Sequence, residues 1–558
     1  MNRQIPQDIN SYSFDVIVVG AGINGAGIAR DAAMRGLRVL LLDKGDISSG
    51  TTQWATRLIH GGLRYLQHYE FSLVRESLKD REELLRIAPH LVRPLGFLVP
   101  IYEYMERGKL MIQLGMIAYD VLSVEKSLER HRIFDREQTL EREPGLNPEG
   151  LKGAAFYYDA QSEYAERIAV ENAISAHDHG AVVLTYAEVE RLIVESGNVV
   201  GVGFEDVLSG GRYTAHAPVT VNVAGPWVDE VLGGMDRYGG SEEHMIGGTK
   251  GSHLVVDPFP GAPETALYVE SRGDGRPYFI VPWNGRYLIG TTDIRYEGDL
   301  DHVVADDEEI DYLLSETNHV IPEANLTWDD ILFTYSGVRP LPHEPEGDEG
   351  SVTRRHIVYD HSQKDPRIGG LVSIIGGKLT TYPTLSRETV DEVYKKLNLK
   401  APKSRTDKVS LPGGATEDFE AFATEFKAES GLAEELAERL LKLYGVRAPD
   451  VLELAGDDDS LKTPLSTPAS AEAGMIGAEV LYAFRREMAE KLSDVLLRRT
   501  MVGMGPDVGL DVDEAAAQVA VRHLGWTEER AEREVRGYRD YVQRYRPKEF
   551  RKREPARA

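Results

Sequence analysis

The chain contains no cysteine in 558 residues. That excludes disulfides, thiolate nucleophiles, Cys-ligated zinc and Cys-ligated iron–sulfur clusters. Compartment is not constrained by it, because a cytosolic protein needs no cysteine. No apolar run approaches the roughly 18 residues of a membrane-spanning helix. The N-terminus lacks the basic-then-apolar layout of a signal peptide, so secretion is not expected. Basic charge is also short: Lys+Arg is 64 against Asp+Glu 91, a net charge of −27. This argues against nucleic acid as a partner, since binding its phosphate backbone needs a basic face. Arg outnumbers Lys, and an acidic, Lys-poor composition is compatible with a salty cytoplasm.

The length calls for two or three domains. The strongest local signal lies near the start. Val16 to Val19 is a β-branched run that reads as a buried strand. Gly20, Gly22 and Gly25 then form G-x-G-x-x-G, enclosing Ile23 and Asn24, and a helix follows to Arg35. Gly36 ends that helix, Val39 to Leu42 is a second buried strand, and Asp43 closes it. Glycines in this setting let backbone approach a pyrophosphate at the helix N-terminus, and the acid accepts from a ribose hydroxyl. A strand before, a helix after and an acid at this distance point to a dinucleotide.

The next segment decides which dinucleotide. A nicotinamide enzyme usually continues with further βαβ units. Here a Ser/Thr-rich loop, Asp46 to Thr56, runs into His60-Gly-Gly with Arg64 and Tyr65. A second glycine turn, Ala224-Gly225-Pro226, follows the strand Val219 to Val223. A third, Gly376-Gly377-Lys378-Leu379-Thr380-Thr381, joins the strand Leu371 to Ile375 to a helix. Three separated points of backbone approach fit a long cofactor lying across a sheet, which is the shape of FAD. The third helix N-terminus would stabilise negative charge on the reduced flavin.

Elsewhere, Phe71 to Ile87 has helical spacing and Leu95 to Ile101 reads as a strand. Lys109 to Val124 is apolar and Met-rich; it reads as a core helix, with a lipid-facing helix as the alternative. Val199 to Phe204 and Tyr213 to His216 form an expected hairpin, and residues 246–300 are strand-rich. Periodicity breaks at 400–414. Beyond it, helices are expected over 418–429, 433–443, 478–497, 513–524 and 528–545. The tail from Arg544 to Ala558 is basic, which suits a solvated end or attraction to anionic lipid.

The order of these motifs resembles the FAD-dependent, quinone-linked, aerobic-type glycerol-3-phosphate dehydrogenase family. The matching runs are Gly20-Ala-Gly-Ile-Asn-Gly25, Leu58-Ile-His-Gly-Gly-Leu-Arg-Tyr-Leu-Gln-His-Tyr-Glu70, Ala88-Pro-His-Leu91, Gly225-Pro-Trp227, Lys250-Gly-Ser-His253, Ile289-Gly-Thr-Thr-Asp293, Thr334-Tyr-Ser-Gly-Val-Arg-Pro-Leu341 and Gly376-Gly-Lys-Leu-Thr-Thr-Tyr382. Leu411-Pro-Gly-Gly414 and Leu497-Arg-Arg-Thr500 resemble the family's C-terminal domain. The likeness spans nearly the whole chain, and the His-Gly-Gly-Leu-Arg-Tyr run is specific to this family.

The resemblance implies an α/β fold with three parts. A discontinuous Rossmann-like FAD domain takes residues 1–100, 150–235 and 335–400. An antiparallel-sheet substrate or cap domain takes 101–149 and 236–334, and an α-helical C-terminal domain takes 410–558. It also implies oxidation of sn-glycerol 3-phosphate to dihydroxyacetone phosphate by hydride transfer from C2 to flavin N5. Arg64, Tyr65 and Lys378 are then expected at the substrate phosphate, and Arg339 at the C2 oxygen. His253 is the candidate base, with Arg339-assisted proton loss to water as the alternative. The cofactor set is Gly20, Gly22, Ile23, Asn24, Gly25, Asp43, Thr51, Thr52, Thr56, Leu58, His60, Val189, Ala224, Gly225, Trp227, Gly377, Lys378, Leu379 and Thr380, with no metal.

The chain departs from some relatives at Gln53-Trp54, bulkier than Ser-Ala, at Thr56-Arg57 for Ser-Lys, and at Asp43 for Glu. Only a short acidic stretch, His343 to Val352, follows the Val-Arg-Pro-Leu motif, which favours the quinone-linked dehydrogenase over the peroxide-forming oxidase. The implied partners are glycerol 3-phosphate and the membrane quinone pool, with a homodimer left open. The implied location is cytoplasmic, peripheral on the cytoplasmic face of the membrane.

Overall fold

The computed structural model describes residues 1, 3–66, 70–105, 109–123, 127–233, 244–344, 353–365, 367–465 and 474–551. Val16–Val19 is fully buried, as a β-branched run covered on both faces must be. It pairs in parallel with Val39–Leu42 on one side and Val219–Asn222 on the other. Leu371–Ile375 and Val182–Leu184 extend this sheet in parallel, and Ile357–Asp360 caps one edge antiparallel. The strand order reverses direction at Val16–Val19, which opens a crevice at the carboxyl ends of the strands. The three glycine turns follow three adjacent parallel strands, so all three lie on that one edge.

The helix Ile23–Met34 covers this sheet with Ala26, Ala29, Ala32 and Ala33, all buried. Small residues let it lie close to the helices Ala165–Asp178 and Tyr382–Lys396.

A second, larger sheet is mostly antiparallel. Thr249–Val256 and Ile331–Arg339 run side by side at one end of it, with Thr249 opposite Arg339 and His253 opposite Tyr335. The strands Arg93–Tyr102 and Leu151–Gln161 pair along their length in this sheet. Sequence ranges gave most of both to the cofactor domain, and an expected boundary at 334/335 crosses Ile331–Arg339. Their alternation marks them as strands, but Phe97, Val99, Ala155 and Tyr157 bury against this sheet's own core.

The expected hairpin forms, Asn198–Asp206 with Gly211–His216, and a third strand, Ala187–Glu195, joins it. That strand is hidden in the sequence by exposed Glu188, Glu190, Arg191 and Glu195.

The C-terminal domain is helical: Phe419–Glu429, Glu434–Tyr444, Gly477–Arg486, Asp513–Leu524 and Glu528–Val542. The single helix expected over 478–497 is broken. Glu487 turns inward to a bidentate, fully buried pair with Arg167, at 2.5 and 2.8 Å, and Met488 follows at φ +58°. A π-helical turn, Val495–Arg499, then aims two arginines back at the first domain.

The Met-rich helix, Lys109–Leu122, is a core helix on one face only. Met116 and Tyr119 are buried, while Met111, Leu114, Ile117 and Val121 are exposed. Among the described residues no helix is long and apolar enough to cross a membrane. The basic tail is partly folded down: Arg544 bonds the Asp301 carbonyl at 3.0 Å and Arg546 pairs with Asp307 at 2.8 Å. Lys552, Arg553 and Arg557 lie outside the described residues.

Candidate active site

A cavity of about 960 Å³ lies between the glycine-turn edge of the parallel sheet and the face of the antiparallel sheet. Its first half is built largely from backbone. Gly20 sits at φ +111°, and a Cβ there would come within 2.6 Å of the Val223 carbonyl oxygen. Gly377, at φ +101°, would drive a Cβ to 2.5 Å from Asn24 Nδ2. The first glycine turn is therefore pressed against both of the others, and only glycine allows it. Asp43 accepts from the Ala21 N–H at 2.6 Å and the Gly45 N–H at 2.8 Å. Its burial raises the carboxyl pKa, and those two backbone donors offset only part of the rise.

Thr52 Oγ1 accepts from the Ile23 N–H at the helix N-terminus, at 3.0 Å, while Thr51 donates to the Val338 carbonyl at 2.8 Å. Trp227 lies under Lys44, whose Nζ is 4.6 Å from the ring centre. Leu58, Val189, Ala224, Gly225 and Leu379 complete this wall. The buried Asn24 Oδ1 and Trp227 Nε1 have no partner among the described residues. Such groups in a built site ask for a ligand to satisfy them. Backbone donors at a helix N-terminus, an acid at the next strand end and a cradle spanning three turns fit FAD.

The second half is built from side chains on strands. Arg339 donates to Asp293 at 3.1 Å and to Thr291 Oγ1 at 2.9 Å. Asp293 also receives Arg354 at 2.7 Å. One carboxylate thus holds two guanidinium groups at the cavity wall. These arginines keep Asp293 below the usual carboxylate range even though its burial pushes the other way.

Lys378 donates to Ser77 Oγ at 2.8 Å and lies 4.3 Å from the centre of the Tyr65 ring. Burial lowers its pKa to about 7, a fall only partly offset by Glu76, Glu70 and Asp80. His60 is lowered to about 4, chiefly by burial. Its backbone N–H reaches Thr380 Oγ1 at 3.1 Å, which ties the second motif to the third glycine turn.

His253 is the candidate base, and an unperturbed imidazole titrates in a useful range. Burial, with Arg339 and Arg57 nearby, pushes its pKa well below that range, so the ring is neutral. Its Nε2 lies 3.0 Å from Thr56 Oγ1 and its ring stacks on Tyr335 at 4.7 Å. Nδ1 is buried with no partner among the described residues.

The sequence-derived residues converge on this one cavity with two exceptions. Gly25 does not line it; it lets the helix pack onto Gly20. The Arg64 side chain lies outside the described residues, although its backbone falls in the short helix Leu63–Leu66 beside the cavity. The loop departures have structural partners. Arg57 is fully buried on Glu166, at 2.7 and 2.8 Å, and lies 4.8 Å from the centre of Trp283. Trp54 packs on Tyr545 at 5.5 Å. Sequence reasoning missed Arg354, which carries no motif of its own, and missed Lys491, Arg498 and Tyr541, which line the cavity from the helical domain.

The pattern of the FAD dependent oxidoreductase family matches residues 15–382, and that of the C-terminal domain of alpha-glycerophosphate oxidase matches 404–531. A glycerol-3-phosphate dehydrogenase of Synechocystis sp. is 46% identical over 549 residues, covering 97% of this chain and 98% of its own. An aerobic glycerol-3-phosphate dehydrogenase of Staphylococcus haemolyticus is 33% identical, covering 90% of this chain and 89% of its own. The crystal structure of the glycerol-3-phosphate dehydrogenase from Bacillus halodurans, complexed with FAD, superposes with a TM-score of 0.77 at 30% identity, covering 96% of each chain. With matches of this extent on both sides of the domain boundary, the chain belongs to the FAD-dependent glycerol-3-phosphate dehydrogenase family.

Proposed function

We propose that this chain oxidises sn-glycerol 3-phosphate to dihydroxyacetone phosphate and passes the electrons to a quinone. The observation that carries the reading is the cationic end of the cavity, where Arg339, Arg354 and Lys378 face a space next to the neutral His253. A phosphate dianion needs cations and donors, and Lys378, Arg354, Tyr65 and Arg64 supply them. Arg339, fixed by Asp293 and Thr291, orients the C2 oxygen and stabilises the charge that develops on it. His253 is the acceptor of the hydroxyl proton in this reading, with its ring oriented by the 3.0 Å contact between Nε2 and Thr56 Oγ1. Burial does most to keep the ring neutral, and the dianion's charge offsets the part that comes from Arg339 and Arg57. Bound FAD supplies N5 as acceptor for the hydride leaving C2.

Quinone as the final acceptor puts the protein at a membrane surface. The exposed stripe of Met111, Leu114, Ile117 and Val121 supports this, as an apolar helix face suited to an interfacial position. That helix also touches the site, since Tyr119 Oη accepts from the Gly61 N–H at 3.0 Å, in the turn ahead of Tyr65.

Anaerobic addition of glycerol 3-phosphate tests the first half-reaction. Bleaching of the flavin absorbance is expected, and a spectrum that does not change overturns the substrate assignment. Reoxidation by a quinone analogue is expected to be much faster than by air. Stoichiometric hydrogen peroxide in air, with no response to quinone, overturns the acceptor and selects the oxidase.

A further inference from the structure

The helical domain reaches the cofactor loop through a fully buried charge cluster. Asp46, in the loop after the second strand, accepts from Arg498 Nε at 2.6 Å and from both terminal nitrogens of Arg499 at 2.8 Å. Arg498 also pairs with Asp494 at 2.7 Å, and Asp494 accepts from the Tyr186 hydroxyl at 2.6 Å. Tyr186 and Arg498 both line the cavity. A second tie joins Gln53 to the Tyr541 hydroxyl at 3.1 Å.

The gripped loop carries the groups that frame the first glycine turn. Ser48 N–H bonds the Ala21 carbonyl at 3.0 Å, and Thr52 caps the Ile23 N–H. A buried cluster of two arginines and two aspartates is costly to desolvate, so it is a poor source of net stability. What it does supply is position: every oxygen of Asp46 is spoken for, and the loop cannot shift without stranding a buried charge.

We propose that the C-terminal helical domain is a working part of the FAD site. It clamps the loop 46–54 against the first glycine turn and so sets cofactor affinity, with Asp46, Arg498, Arg499 and Gln53 as positioning residues. The proposal rests on the FAD reading of the cavity. It gives the helical domain a task that its remoteness in sequence conceals.

The test is FAD titration of apoprotein, read by flavin fluorescence, for wild type, Asp46→Asn and Arg498→Gln. FAD dissociation constants are expected to rise by about tenfold or more in both variants. The gain in melting temperature on adding FAD should shrink in step. At saturating FAD the KM for glycerol 3-phosphate should return to the wild-type value, which a general loss of fold would not allow. Arg539→Gln is the control, since it breaks an ion pair with Asp513 inside the helical domain and away from the loop. It should leave FAD affinity unchanged. If the charge variants do not fold, Gln53→Ala and Tyr541→Phe read the second tie, with a rise of about threefold or more expected. FAD affinity within twofold of wild type in every folded variant overturns the clamp. Wild-type apoprotein that fails to bind FAD overturns the cofactor reading instead.

Discussion

At one end of the cavity, Gly20 meets Val223 through main chain, Gly377 lies against the Asn24 side chain, and Asp43 serves backbone N–H groups. At the other end, Arg339, Arg354 and Lys378 are side chains, each held by another side chain. The two ends fail in different ways. A backbone cradle survives most changes around it but not an added Cβ. A side-chain cluster tolerates changes of backbone detail but not the loss of a counter-charge. The comparison predicts that substitutions will separate cofactor affinity from turnover, and that residues joining the ends will damage both.

Arg57 is such a junction, lying between the cofactor loop, Glu166 of the helix Ala165–Asp178 and Trp283 of the antiparallel sheet. Arg57→Ala leaves Glu166 charged and unpaired with no exposed side-chain surface. A loss of about 3–5 kcal/mol is expected for removing one partner of a buried pair. Urea unfolding of the holoprotein measures it. A loss below about 1 kcal/mol would mean the junction is solvated in solution, and the ends are joined elsewhere.

Arg339→Lys should break only the reaction end. Lysine keeps the charge but cannot reproduce the planar fork between Asp293 and Thr291. Turnover should fall about 10²–10³-fold, as for loss of a donor at a developing oxyanion, with FAD affinity unchanged. Steady-state kinetics with a parallel FAD titration reads both. Turnover within a few-fold of wild type removes Arg339 from the chemistry.

The two ends were also unequally legible in the sequence. The glycine turns could be read because tight backbone approach demands glycine next to a strand and a helix, and Gly20, Gly22 and Asp43 sit where that logic puts them. The reaction end needed the family likeness, because a lone Arg339 or His253 has no local signature. Arg354 has no signature for that reason, and Asp293 stands out only as part of a motif. The role of His253 changed most. Its type suggested a titrating group, but its burial beside Arg339 and Arg57 makes it a neutral one. Composition could not show the break after Arg486, since the run over 478–497 is helical in pattern. A tertiary demand, Glu487 pairing with Arg167, overrides that pattern. Nor could periodicity tell a core helix from a half-exposed one at Lys109–Leu122, where both faces are apolar.

Gly20→Ala should break only the cofactor end. It forces a Cβ into the Val223 carbonyl and puts a non-glycine residue at φ +111°. Strain of about 1–3 kcal/mol is expected, seen as FAD binding weakened by roughly one order of magnitude. At saturating FAD the KM for glycerol 3-phosphate should not move. A raised KM there would mean the two ends are not separable.

The smallest effect is a pH dependence at the reaction end. Lys378 has a pKa of about 7 because burial outweighs its acidic neighbours. In the proposed role, only the protonated ammonium attracts the substrate's phosphate, which is already largely dianionic at neutral pH. Raising the pH through 7 therefore removes charge from the site and not from the ligand, so affinity falls with rising pH. The protonated fraction drops from about a half at pH 7 to about a tenth at pH 8, which predicts a KM rise of roughly fivefold. Bound dianion raises the lysine pKa in turn, so kcat should show a weaker dependence than kcat/KM. Lys378→Arg keeps its charge throughout this range and should flatten the profile, while the backbone cradle and FAD affinity stay as they are. A profile unchanged by that substitution would falsify the assignment of Lys378 to the phosphate, and leave that charge to the arginines.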